Sequence, residues 1–291
     1  MRDQIISKMA SFPTVSAIVS KLLRLIDEDD ADFSKISEII KYDPALTANI
    51  LKAANSAYLG YSKEVASLSE ASIRLGTKWI FKIAVSSLID SKLKVPAKGY
   101  EMSGDDIWRH SMAAAIAAEN LCEELKIKDN GQVFTAALLH DIGKIHIGEF
   151  LTTKFEEIQN LALENNLSFE TAEREILGID HAEIGGLIAE KWDFPEEIIE
   201  CIRWHHNPDH AETIASAIDV VHCADALCLM ACIGAGKDGL QYKPSDSAIS
   251  RLNISTNIIE LVTSQIIESL DDINNMFEDS EVTAEEPVGR W

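Results

Sequence analysis

Apolar residues recur along this chain at steps of three and four, the spacing that lines up side chains on one face of a helix. From Val15 the series Ile18, Val19, Leu22, Leu23 and Ile26 follows that rule. Asp43-Pro44, a capping residue before a proline, predicts a helix through Leu46, Ile50, Leu51 and Ala54. Ser67-Leu68-Ser69-Glu70 has the spacing of a capping box, Gly76 ends that helix, and Thr77 caps the next, which runs to Leu88. Between Lys92 and Gly104 the pattern is interrupted by Pro96, Gly99 and Gly104, the best boundary in the chain. Beyond it, Asp105 or Asp106 starts a helix that contains His110 and the run MAAAIAAENL, and Val133–Gly143 forms another that ends at its glycine. Further starts fall at Ser168, at the capping-box pattern Asp180-His181-Ala182-Glu183, and at Pro195, whose helix delivers His205 and His206. The last helices cover Ala211–Ile233 and Ser255–Met276, and the acidic, aperiodic end EDSEVTAEEPVGRW reads as a disordered tail. No strand alternation or internal repeat is present. The expectation is an all-α helical bundle in three parts: residues 1–95 as an N-terminal helical subdomain, 96–235 as the bundle that carries the chemistry, and 236–291 as a C-terminal helix and tail.

Composition narrows the partners. At 291 residues, 46% hydrophobic and 25% charged, the chain can bury a large core. Its net charge of -22 repels phosphate backbones and anionic lipid, and no basic patch offsets it, so neither nucleic acid nor a membrane surface is expected as a partner. The five cysteines contain no C-x-x-C, which argues against disulfides or a thiolate zinc site and for a reducing cytosol. The N-terminal MRDQIISKMASFP lacks a secretory apolar segment, and the most apolar stretch, from Ile214 to Ile233, carries Asp219, His222 and Asp225, which makes it a poor membrane span. A soluble, cytoplasmic protein is expected.

The histidines supply the candidate chemistry. His110, the pair His140-Asp141, His181, the pair His205-His206 and Asp225 follow at intervals that could surround a two-metal site. Imidazole and carboxylate together suit Zn, Fe or Mn, and two such ions sharing an aspartate can activate a water against a phosphoester. Ile107, His110, Ala114, Ala117 and Leu121 share one helical face, so His110 points into the core, and Asp225 sits among Val221, Ala224, Leu227 and Leu229. Lys144 follows His140 by one turn and could face the same cavity and hold phosphate, or it could cap the helix end beside a plain His-Asp hydrogen bond. His181 could equally be an exposed cap neighbour, and His206 a surface residue before Asn207-Pro208. Asp106 fits N-capping better than ligation. His146, His210 and His222 are assigned structural roles, and the segment IGAGKDG from Ile233 to Gly239 is a turn rather than a phosphate loop, since no strand precedes it and the Lys-Ser/Thr ending is missing.

One stretch is more specific. YDPALTANILKAANSAYLG from Tyr42 to Gly60, then SLSEASIRLG from Ser67 to Gly76, within a likeness that runs over most of residues 12 to 230, resembles the HDOD family, the HD-related output domains of bacterial signalling proteins. That resemblance implies an HD-like bundle against which the N-terminal helices pack. Many members of the family have lost the HD metal ligands and serve as output or interaction modules. This chain keeps HDIGK at 140–144 and the later histidines, and in that respect is similar to HD phosphohydrolases and HD-GYP cyclic-di-GMP phosphodiesterases. Carried over by position, His110, His140, Asp141 and Asp225 would bind one divalent metal, and Asp141 would bridge to a second held by His181 and His205, with His206 close by. After His205-His206 the chain reads NPDHA, with no following glutamate and no G-Y-P signature, which weakens cyclic-di-GMP specificity. The reading that follows is a regulatory or interaction module with a dinuclear metal site, its partner a signalling protein engaged around Asn55 and Tyr58. The alternative is a metal-dependent phosphohydrolase or cyclic (di)nucleotide phosphodiesterase with Asp141 and Lys144 as catalytic residues and a phosphoester or nucleotide as ligand. A more distant third is diiron oxygen chemistry of the kind seen in helical inositol oxygenases.

Overall fold

A computed structural model describes residues 1–27, 32–56, 59–61, 63–128, 131–211, 215–239, 242 and 244–278. Among these residues there is no strand, only one isolated bridge between Ala97 and Met102. The N-terminal helices are α1 (Arg2–Lys8), α2 (Ala17–Asp27), α3 (Phe33–Ile40), α4 (Pro44–Ala54), α5 (Leu68–Leu75) and α6 (Thr77–Leu93). The middle of the chain forms α7 (Gly104–Leu125), α8 (Gln132–Leu139), α9 (Ile142–Leu151), α10 (Phe155–Asn165), α11 (Phe169–Leu177), α12 (His181–Lys191), α13 (Glu196–Trp204) and α14 (Ser216–Met230). Two more follow, α15 (Asp246–Leu252) and α16 (Thr256–Glu278). The all-α expectation holds.

The capping chemistry explains several of these boundaries and corrects others. Asp43 accepts the Leu46 N–H at 3.0 Å, Ser67 the Glu70 N–H at 3.2 Å and Asp180 the Glu183 N–H at 2.8 Å, each satisfying an orphan donor of a first turn. The cap of α7 is Ser103, not Asp105 or Asp106; Asp106 closes a capping box by accepting the Ser103 N–H at 2.9 Å. Gly76, at φ +81°, precedes α6, so Thr77 is a helical residue rather than a cap, and α6 continues past Leu88 to Leu93. Ser168 makes no capping bond to the backbone; its hydroxyl goes to Glu170 and Thr171. The helix expected over Val133–Gly143 is two helices that break at His140-Asp141, and Gly143 lies inside the second. The helix expected over Ala211–Ile233 is shorter, Ser216–Met230, and α15 was not foreseen. The tail from 279 lies outside the described residues.

α7 is the axis of the bundle. Met112 to Ala118 are all buried, and five of those seven residues are alanine, so α8, α14 and α16 can approach it closely. Buried apolar residues from Ile5 to Leu270 join one core, and the segment between α6 and α7 contributes Ala97, Tyr100 and Met102 to it. No helix among the described residues is long and apolar enough to cross a membrane.

Candidate metal centre

The site lies where helix ends meet. α8 stops at Leu139, and Asp141, at φ −94° and ψ 8°, turns the chain into α9. His140 and Asp141 therefore project from a corner rather than from a helix face. The corner is tight against the start of α12. A Cβ built on Gly143 would lie 1.9 Å from the His181 carbonyl oxygen and 2.8 Å from the Gly185 nitrogen, so only glycine lets Asp141 and His181 come together. α13 ends at Trp204 and places His205 and His206 in the turn that follows. Gly234, at φ +61°, packs against Asp106 and His110 and brings the Ile233 carbonyl to the imidazole of His110.

Hydrogen bonds fix which nitrogen each ring turns inward. His110 Nδ1 faces the Ile233 oxygen at 3.0 Å, His140 Nδ1 the Ala137 oxygen at 2.7 Å and His205 Nδ1 the Ile202 oxygen at 2.6 Å. A carbonyl only accepts, so in each case Nδ1 carries a proton and Nε2 is the nitrogen turned into the site. His181 does the same with a carboxylate, its Nδ1 lying 2.7 Å from Glu173 Oε2.

The inward nitrogens converge on two carboxylates. His110 Nε2 is 3.1 Å and His140 Nε2 3.5 Å from Asp225 Oδ1. Asp141 divides its oxygens: Oδ2 lies 3.6 Å from His110 and 3.4 Å from His140, while Oδ1 lies 3.5 Å from His181 and 3.8 Å from His205. His206 completes the second group, with its Nε2 2.9 Å from His181 Nε2 and its Nδ1 3.7 Å from Asp225 Oδ2. Lys144 Nζ sits 2.9 Å from Asp141 Oδ2 and 2.8 Å from Asp238 Oδ2. The rings of Tyr100 and Tyr242 each lie 5.3 Å from that ammonium.

This arrangement fits divalent metal. His110, His140 and Asp225 form one set of potential ligands whose donor atoms lie within 4.8 Å of one another, and Asp141, His181, His205 and His206 form a second. His140 Nε2, His205 Nε2 and both Asp141 oxygens are buried without completing a directed hydrogen bond, although Lys144 stands close to one of those oxygens. Buried polar atoms left in this state are costly unless a cation completes them. The electrostatics agree. Burial opposes the charge on Asp141, yet the neighbouring Lys144 and His140 hold its carboxyl well below the usual range. Burial would lower His140, but Asp141 and Asp225 raise it to about 10, so a metal ion bound there would take the place of the proton on Nε2. Burial, followed by neighbouring imidazoles, pushes His205 and His206 well below the ordinary value, so both are neutral and able to ligate.

All seven residues expected around the metals meet in this one place. His181 is fully buried rather than an exposed cap neighbour, and His206 is no surface residue: Tyr242 stacks on it with centroids 4.2 Å apart and planes 4° apart. Lys144 is buried between two carboxylates and does not cap a helix end. Asp106 stays outside, in its capping box. His146 bonds the Ile5 carbonyl, His222 links the His205 carbonyl to the Ser245 N–H, and His210 is exposed. Asn55 is tied to both backbone groups of Val65 at 2.8 Å, and Tyr58 lies outside the described residues. Four contributors were missed: Glu173, Tyr100, Asp238 and Tyr242. Glu173 had a legible signal, because it falls four residues after Phe169 and four before Leu177 on the buried face of α11. Asp238 belongs to the IGAGKDG turn, whose glycines drew attention away from its carboxylate.

Comparison with known proteins places the chain. The model of the HDOD domain family matches residues 12–208. An HDOD domain protein with unknown function from Geobacter sulfurreducens superposes with a TM-score of 0.68 at 23% identity, over 98% of this chain and 99% of that one. An uncharacterized protein of Treponema pallidum is 26% identical over 207 residues, 71% of this chain and 40% of its own length. Ribonuclease Y of Thermus thermophilus is 31% identical over 153 residues, 52% of this chain and 21% of its own length. The chain thus spans less than half the length of either curated relative.

Proposed function

The chain belongs to the HDOD family, and on that premise we propose that it is a signal-transduction protein whose His/Asp cluster holds two divalent metal ions and hydrolyses a small phosphoester. One observation carries this reading: Asp141 turns one oxygen to each group of imidazoles, and besides the Lys144 ammonium near Oδ2 nothing else among the described residues reaches either oxygen. His110, His140 and Asp225 would hold one ion, His181, His205 and His206 the other, and Asp141 both. Their nitrogen and oxygen donors suit Fe, Mn or Zn. Bound there, such a pair supplies an activated water and polarises a phosphoryl oxygen. The chain's own part is to orient the rings through their Nδ1 bonds, to keep His205 and His206 neutral, and to offer the Lys144 ammonium as a point charge toward phosphate.

Size and charge limit the substrate. Beside the Asp225–His206 edge lies a cavity of about 180 Å³, lined also by Ala226, Leu229, Met230 and Tyr242. Pockets for drug-sized ligands run from about 300 to 1,000 Å³. The opening suits a compact phosphoester better than a cyclic dinucleotide, and the net charge of -22 argues against RNA despite the kinship with ribonuclease Y. A second reading, a metal-holding interaction module without turnover, draws its support from the full burial of His140, His181 and His205. The test is Mn²⁺-dependent release of p-nitrophenol from p-nitrophenyl phosphate by the wild type and by Asp141→Ala. Turnover in the first and none in the second supports the hydrolase; metal uptake without turnover leaves the module.

A further inference from the structure

Among the inward-facing imidazoles, His181 is held differently. His140 and His205 lie just past the C-terminal ends of α8 and α13, where Nδ1 reaches a carbonyl three residues back. His181 opens α12, and at a helix N-terminus no such carbonyl is within reach. Glu173 takes its place. Its Oε2 accepts from His181 Nδ1 at 2.7 Å and from the His181 N–H at 3.1 Å, and its Oε1 accepts the hydroxyl of Tyr100. Both oxygens are engaged, and Glu173 and Tyr100 are fully buried. α12 already has its cap in Asp180, so a buried charge is not needed to start the helix. What a carboxylate adds over a carbonyl is a stronger, charge-assisted bond that raises the basicity of the opposite nitrogen.

We infer that Glu173, itself held by Tyr100, is the positioning residue for the His181 half of the centre: it keeps the proton on Nδ1, aims Nε2 at Asp141 and His206, and thereby sets the affinity of that half for metal. The inference rests on the metal reading above but is not tied to catalysis. Glu173→Gln keeps the volume and an accepting oxygen while removing the charge. Titration of this variant with Mn²⁺ should leave one ion bound as in the wild type and weaken the other by about 10–100-fold, the usual range for losing an orienting partner. Tyr100→Phe should shift the same ion in the same direction by less. A purely structural Glu173 would lower the melting temperature without touching Mn²⁺ affinity. The second readout is the His181 Nδ1–H proton resonance in metal-free protein, which should lie far downfield and move upfield in Glu173→Gln. Two ions bound with wild-type affinity in Glu173→Gln, or an unmoved resonance, overturns the inference. If the wild type takes up no Mn²⁺, the metal reading fails by itself, and the resonance alone decides whether Glu173 positions His181.

Discussion

A methyl group added at Gly143 has nowhere to go, since it would meet the backbone of α12 at 1.9 Å. Overpacking of a rigid contact costs about 1–3 kcal/mol, so Gly143→Ala should lower stability by that amount in a denaturant titration and reduce metal uptake, because Asp141 and His181 must part. Lys144 is the second sensitive position. Its ammonium is held charged between Asp141 and Asp238 against the opposing effect of burial. Lys144→Met would leave Asp238 buried without its cation, and breaking a buried pair from one side costs about 3–5 kcal/mol. Lys144→Met together with Asp238→Asn should recover much of that loss, measured as the denaturant midpoint. Sequence spacing put Lys144 beside His140 and Asp141 correctly. It could not show Asp238, which comes from 94 residues further along and meets Lys144 only through the fold.

Helix ends, more than helix faces, make the centre, and that is why the elements were only partly legible. The apolar run from Val133 through Ile142 keeps its character across His140-Asp141, so periodicity gives no sign of the break there, and Gly143 looks like a stop when its role is close approach. His110 and Asp225 were easier, because each lies within a long helix whose buried face the spacing defines. α15 was missed because its seven residues carry only Ala248, Ile249 and Leu252 as apolar positions, too short a pattern to define a helix, and polar contacts help to fasten it. Arg251 reaches both oxygens of the buried Asp219 at 2.7 and 2.6 Å and Asp209 Oδ1 at 2.6 Å, while Ser245 and Ser247 bond the other Asp209 oxygen. These bonds, those of Ser247 and Arg251 foremost, lower the Asp209 carboxyl to about 2. A carboxyl depressed in the folded state contributes stability that is present above its unfolded value, about 3.9, and is lost as pH falls through the folded value. Asp209→Asn should therefore narrow its stability gap from the wild type as pH drops from about 4 toward about 2, and hydrogen exchange in Asp246–Leu252 should speed up at neutral pH in Arg251→Ala.

Across the whole molecule, one core joins N-terminal helices to bundle, and the His/Asp cluster sits among its buried helix ends. Any ion that binds only the folded chain stabilises it by mass action, by about 2.7 kcal/mol at a hundredfold excess over its dissociation constant. For a chain of this size Mn²⁺ at that excess should raise the melting temperature by several degrees, and a chelator should reverse the rise. The all-α class and the seven convergent residues could be read from spacing and likeness to a family. The enclosure was less legible: Glu173 falls on the buried face of α11, but Tyr100, Asp238 and Tyr242 come from segments between α-helices, where spacing defines no face. The most direct test of the account is the number of Mn²⁺ ions bound per chain at equilibrium dialysis, wild type beside Asp141→Ala. Two ions per wild-type chain, with loss of at least one in Asp141→Ala, is the result expected from a carboxylate shared between two sites. A wild type that binds none, or an Asp141→Ala variant that still binds both with undiminished affinity, would contradict it.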